Sequence, residues 1–147
     1  IHSIEQPIRQ GLLEEMANLC RVSPIPIALD EELIGVDPDM AEELLERVSP
    51  QYIILKPTLC GGFSGTDRWI AAAEKLEIGW WATSALESNV GLNAIARYLG
   101  KYSVSMPQGL GTGELYFNNI PSPLSRKGER LGLDPDREWE IPAMKWN

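Results

Sequence analysis

Along the chain, short apolar runs alternate with longer segments in which apolar positions recur every three or four residues. The run "IHSIEQP" (1–7) leads into "RQGLLEEMANLCRV", where Leu12, Leu13, Met16, Leu19 and Cys20 share one helical face. "IPIALDEE" (25–32) is followed by "DPDMAEELLERV", with Asp37 placed to cap a helix, Pro38 at its first position, and Met40, Leu44, Leu45 and Val48 on one side. "YIILKP" (52–57) precedes "SGTDRWIAAAEKLE", and "IGWWATS" (78–84) precedes "SNVGLNAIARYLG", which closes on Gly100 as a C-terminal cap. A fifth strand is expected around "MPQGLGTG" (106–113).

The polar residue that ends each run recurs almost evenly. Glu5, Asp30, Lys56, Thr83 and Gly109 are separated by 25, 26, 27 and 26 residues, the size of a compact βα unit. Strands joined through helices pair in parallel, and right-handed crossovers bring all their carboxyl ends to one side of the sheet. A doubly wound open sheet and a (β/α) barrel both satisfy this pattern. No GxGxxG follows the first run, and the polar residues sit where a barrel carries its chemistry, so the barrel is the expected fold. Five units are too few to close eight strands, which makes the chain the later part of a barrel.

Composition narrows the function. With 44% hydrophobic and 23% charged residues, the 147-residue chain is expected to fold as a globular protein. A net charge of −8 without any Lys/Arg-rich run argues against a nucleic-acid surface. No apolar stretch approaches the roughly 20 residues of a membrane span, and a cytoplasmic location is expected. Cys20 and Cys60 lack any CxxC or Cys/His setting and read as reduced structural thiols, while a single histidine, His2, leaves no material for a His-based zinc site or a Ser-His-Asp triad. The chain starts with Ile, as a processed protein or a piece of a longer one would.

Two carboxylates at adjacent strand ends repel unless a cation lies between them. Oxygen-only ligands such as Glu5 and Asp30 suit a hard ion, Mg²⁺ before Mn²⁺ or Ca²⁺. Either acid taken alone is as well explained as a helix cap or an Arg partner; the two together, beside Lys56, favour the ion. A metal and a lysine form a pairing used to remove a proton next to a carboxylate.

These residues carry a resemblance. The strings "IEQP", "ALDEELIG", "ILKPTLCGG" and "TSALESNVGL", in this order and spacing, resemble the barrel domain of the enolase superfamily, in its muconate-lactonizing subgroup. "KPTLCGG" with "ALESNVGLNAIARYLG" and "GLGTGELYFNN" is similar, within it, to the o-succinylbenzoate synthase family. The likeness covers residues 1 to about 125 and implies strands four to eight of the barrel over residues 1–119, with a C-terminal tail, 120–147, packing on a capping domain. It implies Glu5 and Asp30 as metal ligands, Lys56 as the charge facing the intermediate, and Thr83, Ser84, Gly109 and Gly111 around the substrate's succinyl carboxylate. Glu31 and Glu87 would stand behind them, although Glu87 reads equally well as a first-turn helix acid. The implied reaction is Mg²⁺-dependent dehydration of a succinyl-hydroxycyclohexadiene carboxylate in menaquinone biosynthesis.

The family's second-strand Lys-x-Lys, its third-strand acid and its capping domain have no counterpart here, so this fragment alone is expected to be inactive and those parts to be its partners. The same superfamily also contains N-acylamino acid racemases and dipeptide epimerases, which would use the same three residues. A non-catalytic half-barrel, with open strand edges seeking a partner, is the reading from another class. "GLGTG" (109–113) also permits a phosphate cradle. Trp80 and Trp81 should face opposite sides of their strand. In "PSPLSRKGERLGLDPDREWEIP", turn formers at Lys127-Gly128 and Asp134-Pro135 flank residues able to pair as short strands.

Overall fold

The computed structural model describes residues 1–111 and 115–141, in two compact units: Ile1–Thr83 with Met106–Gln108, and Ser84–Ser105 with Gly109 onward. In the first, β1 (Ile4–Glu5), β2 (Ile27–Leu29), β3 (Tyr52–Leu55) and β4 (Gly79–Ala82) form one parallel sheet in chain order. The helices α1 (Leu13–Val22), α2 (Ala41–Val48) and α3 (Gly62–Lys75) connect them. β2 is buried at every position and β3 at Ile53, Ile54 and Leu55, as befits parallel strands covered on both faces. Their apolar side chains form a core with Met16 and Cys20 of α1, Leu44, Leu45 and Val48 of α2, and Trp69, Ile70 and Ala73 of α3.

Local signals explain the helix boundaries. Asp37 accepts the amide of Asp39 at 3.0 Å, and Pro38 opens a short 3₁₀ turn, Pro38–Met40, that runs straight into α2. Gln51 ties the layers together below β3: its Oε1 accepts the Ile27 amide at 2.9 Å and its Nε2 donates to the Cys20 carbonyl at 3.2 Å. The thiols of Cys20 and Cys60 are free and buried; burial pushes both up, which suits inert packing groups.

Pairing register decides which side chains share a face. Glu5 pairs with Ala28, Ala28 with Tyr52, and Tyr52 with Gly79. Partners in such a row point the same way, and so does every second residue beyond them. One face therefore carries Glu5, Asp30, Ile54, Lys56, Trp81 and Thr83. Trp81 lies against Tyr52, with ring centroids 5.8 Å apart, and the His2 ring meets Tyr52 at 4.7 Å with the planes tilted by 40°.

The expected fifth strand does not form a ladder within residues 106–111; Gly109 makes a single isolated bridge. Pro107 has no amide hydrogen to donate, and Gly109 and Gly111 are poor strand formers. Gln108 substitutes its side chain: Oε1 accepts the Ala82 amide at 2.7 Å, and Nε2 donates to the Met106 carbonyl at 2.8 Å. Thr112 and Gly113 lie outside the described residues.

The second unit contains α4 (Asn89–Leu99) and the hairpin of β5 (Leu124–Lys127) and β6 (Arg130–Leu133), which pair antiparallel around Gly128 at φ +63°. The turn signal at Lys127-Gly128 thus does form a hairpin. Gly100 caps α4 in a right-handed conformation, so its freedom to turn left-handed is not used. Asn89 holds the chain that leads into the hairpin, donating to the Ile120 carbonyl and to Ser122 while its amide donates to Asn119. Among the described residues no helix is long and apolar enough to cross a membrane.

Gly65 has the least room for a side chain of the glycines described in the first unit. A Cβ there would lie 2.2 Å from the Cys60 carbonyl oxygen and 2.9 Å from Pro38. Helix propensity favours alanine over glycine by about 1 kcal/mol; the clash with backbone outweighs it. Gly65→Ala is expected to lower stability by about 1–3 kcal/mol in urea unfolding, and an increase would show that the Lys56–Gly62 loop yields easily.

Candidate active site

Lys56 follows β3 directly, and the loop after it is closed by its own backbone: Leu59 and Cys60 donate to the Lys56 carbonyl at 2.7 and 3.0 Å, and Gly62 to Pro57 at 2.9 Å. Gly61 and Gly62, at φ +84° and +71°, supply the left-handed turns that lead into α3. The stem is thus fixed from both ends. Its ammonium is hydrogen-bonded to Oδ2 of Asp30, and the pair is well shielded, with side chains 21% and 2% exposed.

Asp30 uses only half its carboxylate. Oδ1 is buried and has no hydrogen-bond donor. Glu5, one strand over on the same face, lies against Asp30 closely enough to hydrogen-bond it once one of the two carboxyls takes up a proton. Burial, then that hydrogen bond and the charge of Asp30, push the Glu5 carboxyl above its ordinary 4.5, partly offset by the Lys56 ammonium. Thr83, whose amide donates to the Leu55 carbonyl at 2.9 Å, adds a second buried orphan on this face, its hydroxyl Oγ1. Buried polar atoms without partners are uncommon, and these two are open to a water, an ion or a polar ligand.

The backbone around Asp30 is held by two residues that the sequence reading passed over. Gln6 accepts the amides of Asp30 and Glu32 at 3.0 and 3.3 Å. Glu32, only 3% exposed, takes a hydrogen bond from Gln6 at 3.2 Å and one from the Gly11 amide at 2.8 Å. Glu31, the acid singled out from the sequence, is exposed; it lies near enough to Glu5 to add to the repulsion there. A polar residue beside each strand-end acid was the available signal: Gln6 adjoins Glu5, and Glu32 stands two after Asp30.

The remaining expected residues belong to the second unit. Ser84 is buried, and its amide donates to the Gly109 carbonyl at 3.2 Å, so those two do come together. Gly111 lines a cavity of about 130 Å³ with Asn89, Asn119 and Arg126. Glu87 accepts the Ala85 amide at 2.8 Å and so shapes the turn before α4.

The family profile described as Enolase C-terminal domain-like matches residues 1–114. The chain belongs to that family. The o-succinylbenzoate synthase of Desulfotalea psychrophila is 56% identical over 133 residues, which is 90% of this chain and 36% of that protein. The crystal structure of MenC from the same organism superposes with a TM-score of 0.86 over 90% of this chain and 37% of its own. The N-succinylamino acid racemase of Thermus thermophilus is 35% identical over 60% of this chain. This chain thus spans little more than a third of the length of these two Desulfotalea psychrophila relatives, as expected of an α/β chain that is part of a barrel.

Because Glu5 holds its proton more tightly in the folded chain than in the unfolded one, its contribution to metal-free stability is fully present below 4.5 and is lost as pH rises through the raised Glu5 value. Glu5→Gln removes that loss. In chelator near neutrality the variant should melt above the parent, by less than about 1 kcal/mol because solvent screens so exposed a group, and the gain should vanish in acid. A lower melting point near neutrality would mean that the Glu5 charge is stabilising.

Proposed function

We propose that this chain is the C-terminal barrel portion of an o-succinylbenzoate synthase, a carbon–oxygen lyase. Its substrate is a succinyl-hydroxycyclohexadiene carboxylate, which loses a proton and a hydroxide as water and becomes aromatic. The observation that carries the reading is the 56% identity over 90% of the chain to a curated enzyme of that name. The racemase and epimerase relatives match at lower identity and over less of the chain. Residues 1–119 would supply barrel units, and 120–147 a tail toward a capping domain.

The residues fit a hard divalent cation, Mg²⁺ or Mn²⁺. Asp30 Oδ1 is an acceptor without a donor, and the neighbouring Glu5 carboxyl gains a proton more readily than usual because burial and the adjacent Asp30 outweigh the Lys56 ammonium. Among the described residues no group of three or more His, Cys, Asp or Glu side chains is placed to hold an ion; Glu5 and Asp30 would be two ligands of a set that the rest of the whole protein would complete. When bound, such an ion lends positive charge to the substrate carboxylate and makes the neighbouring proton more acidic.

Lys56 supplies a second, fixed positive charge. Its stem is anchored at the end of β3 and its ammonium already leans on Asp30, so little reorganisation accompanies the build-up of negative charge on the substrate. Thr83 Oγ1 offers a hydroxyl with no competing partner on the same face, suited to a substrate carboxylate oxygen. The low exposure of Asp30 and Lys56 keeps water from diluting these charges.

Lys56→Met in the full-length protein, checked for folding by circular dichroism, is expected to lower kcat for the dehydration by about 10²-fold or more. A full-length parent that racemises N-succinylamino acids but leaves the cyclohexadiene untouched would replace the lyase reading with the racemase one.

A further inference from the structure

Gln6 is held in an unfavourable backbone conformation, with φ at +34° immediately before Pro7. A non-glycine residue stays there only when its surroundings over-determine it. Its side chain shows what does so. The amide oxygen accepts from the backbone N–H groups of Asp30 at 3.0 Å and Glu32 at 3.3 Å. The amide nitrogen donates to the Ile8 carbonyl at 3.1 Å and to Glu32 Oε2 at 3.2 Å. All four hydrogen-bonding positions of a glutamine are therefore filled. The other Glu32 oxygen takes the Gly11 amide at 2.8 Å. The buried Glu32 is thus held at both oxygens, and Gln6 links it to the amide of Asp30.

We propose that Gln6 and Glu32 form a positioning pair that fixes the backbone at Asp30, so that Oδ1 is presented, unpartnered, to the cation that Glu5 and Asp30 hold. The proposal rests on the cation reading given above. Gln6 is joined to Glu5 by one peptide bond and to Asp30 by one hydrogen bond, so a single side chain sets the spacing of both ligands. A glutamate at residue 6 would lose both donors and press a carboxylate onto Glu32. A methionine would leave the amides of Asp30 and Glu32 without their acceptor.

Mn²⁺ titration of the full-length protein, read by loss of the free-ion paramagnetic resonance signal, tests this. Residues that orient a metal ligand typically change affinity by about 10- to 100-fold. Gln6→Met should weaken Mn²⁺ binding by that factor, with the metal-free melting temperature lowered by a few degrees at most. The exchanged pair Gln6→Glu with Glu32→Gln, in which the donor and acceptor swap sides, should recover most of the affinity. Asp30→Asn should abolish binding. If Asp30→Asn loses the ion while Gln6→Met stays within about twofold of the parent, the positioning role is wrong and the cation site stands. If Asp30→Asn binds Mn²⁺ as the parent does, the cation site falls and the pair has nothing to position. Should Gln6→Met not fold, Glu32→Gln alone carries the same comparison, because it keeps its shape and the Gly11 acceptor while setting one amide against another.

Discussion

The strand ends of the first unit are organised around a lysine ammonium held against a carboxylate that is almost closed to water. Removing one member of such a buried pair costs about 3–5 kcal/mol, while the intact pair contributes little net stability. The contact between Lys56 and Asp30 is therefore a constraint more than a source of stability: each residue obliges the other to be present and placed. Glu5 joins the pair from the far side and raises the negative charge of the group beyond what one ammonium neutralises.

That constraint propagates outward. Lys56 keeps its place because the loop behind it folds back on its own carbonyl and because Gly65 lets α3 approach the Cys60 carbonyl. Asp30 keeps its place because Gln6 and the buried Glu32 hold the chain on either side of it. The placement of the charged residues thus rests on polar contacts made by Gln6 and Glu32 as well as on the charges themselves. Apolar burial in β2, β3 and the three helices supplies the stability against which these local costs are set.

Much of this was legible in the order of residues. The alternation of apolar runs and helical stripes placed four strands and four helices within a few residues, since burial on both faces of a parallel strand leaves a continuous apolar run in Ile27–Leu29 and Ile53–Leu55. The near-constant spacing from Glu5 to Thr83 marked the strand ends. Within 106–111 pairing is reduced to an isolated bridge at Gly109, because Pro107 and the glycines are poor strand formers and the Gln108 side chain takes the Ala82 amide. Gln6 and Glu32 escaped notice because an amide next to a proline and one of two successive acids look like ordinary solvated residues until their partners are known.

The sequence by itself determined the parallel α/β character of the chain and which residues end each strand, because periodicity and residue type act locally. It did not determine that Glu5 and Asp30 touch, that one oxygen of Asp30 and the hydroxyl of Thr83 lack partners, or that Glu32 rather than Glu31 is buried. Those follow from register: strands whose pairing offsets are 23 and 24 residues bring side chains 25 and 26 apart onto one face, each one step further along. Only the assembled sheet fixes that offset, and with it which charges meet at the strand ends.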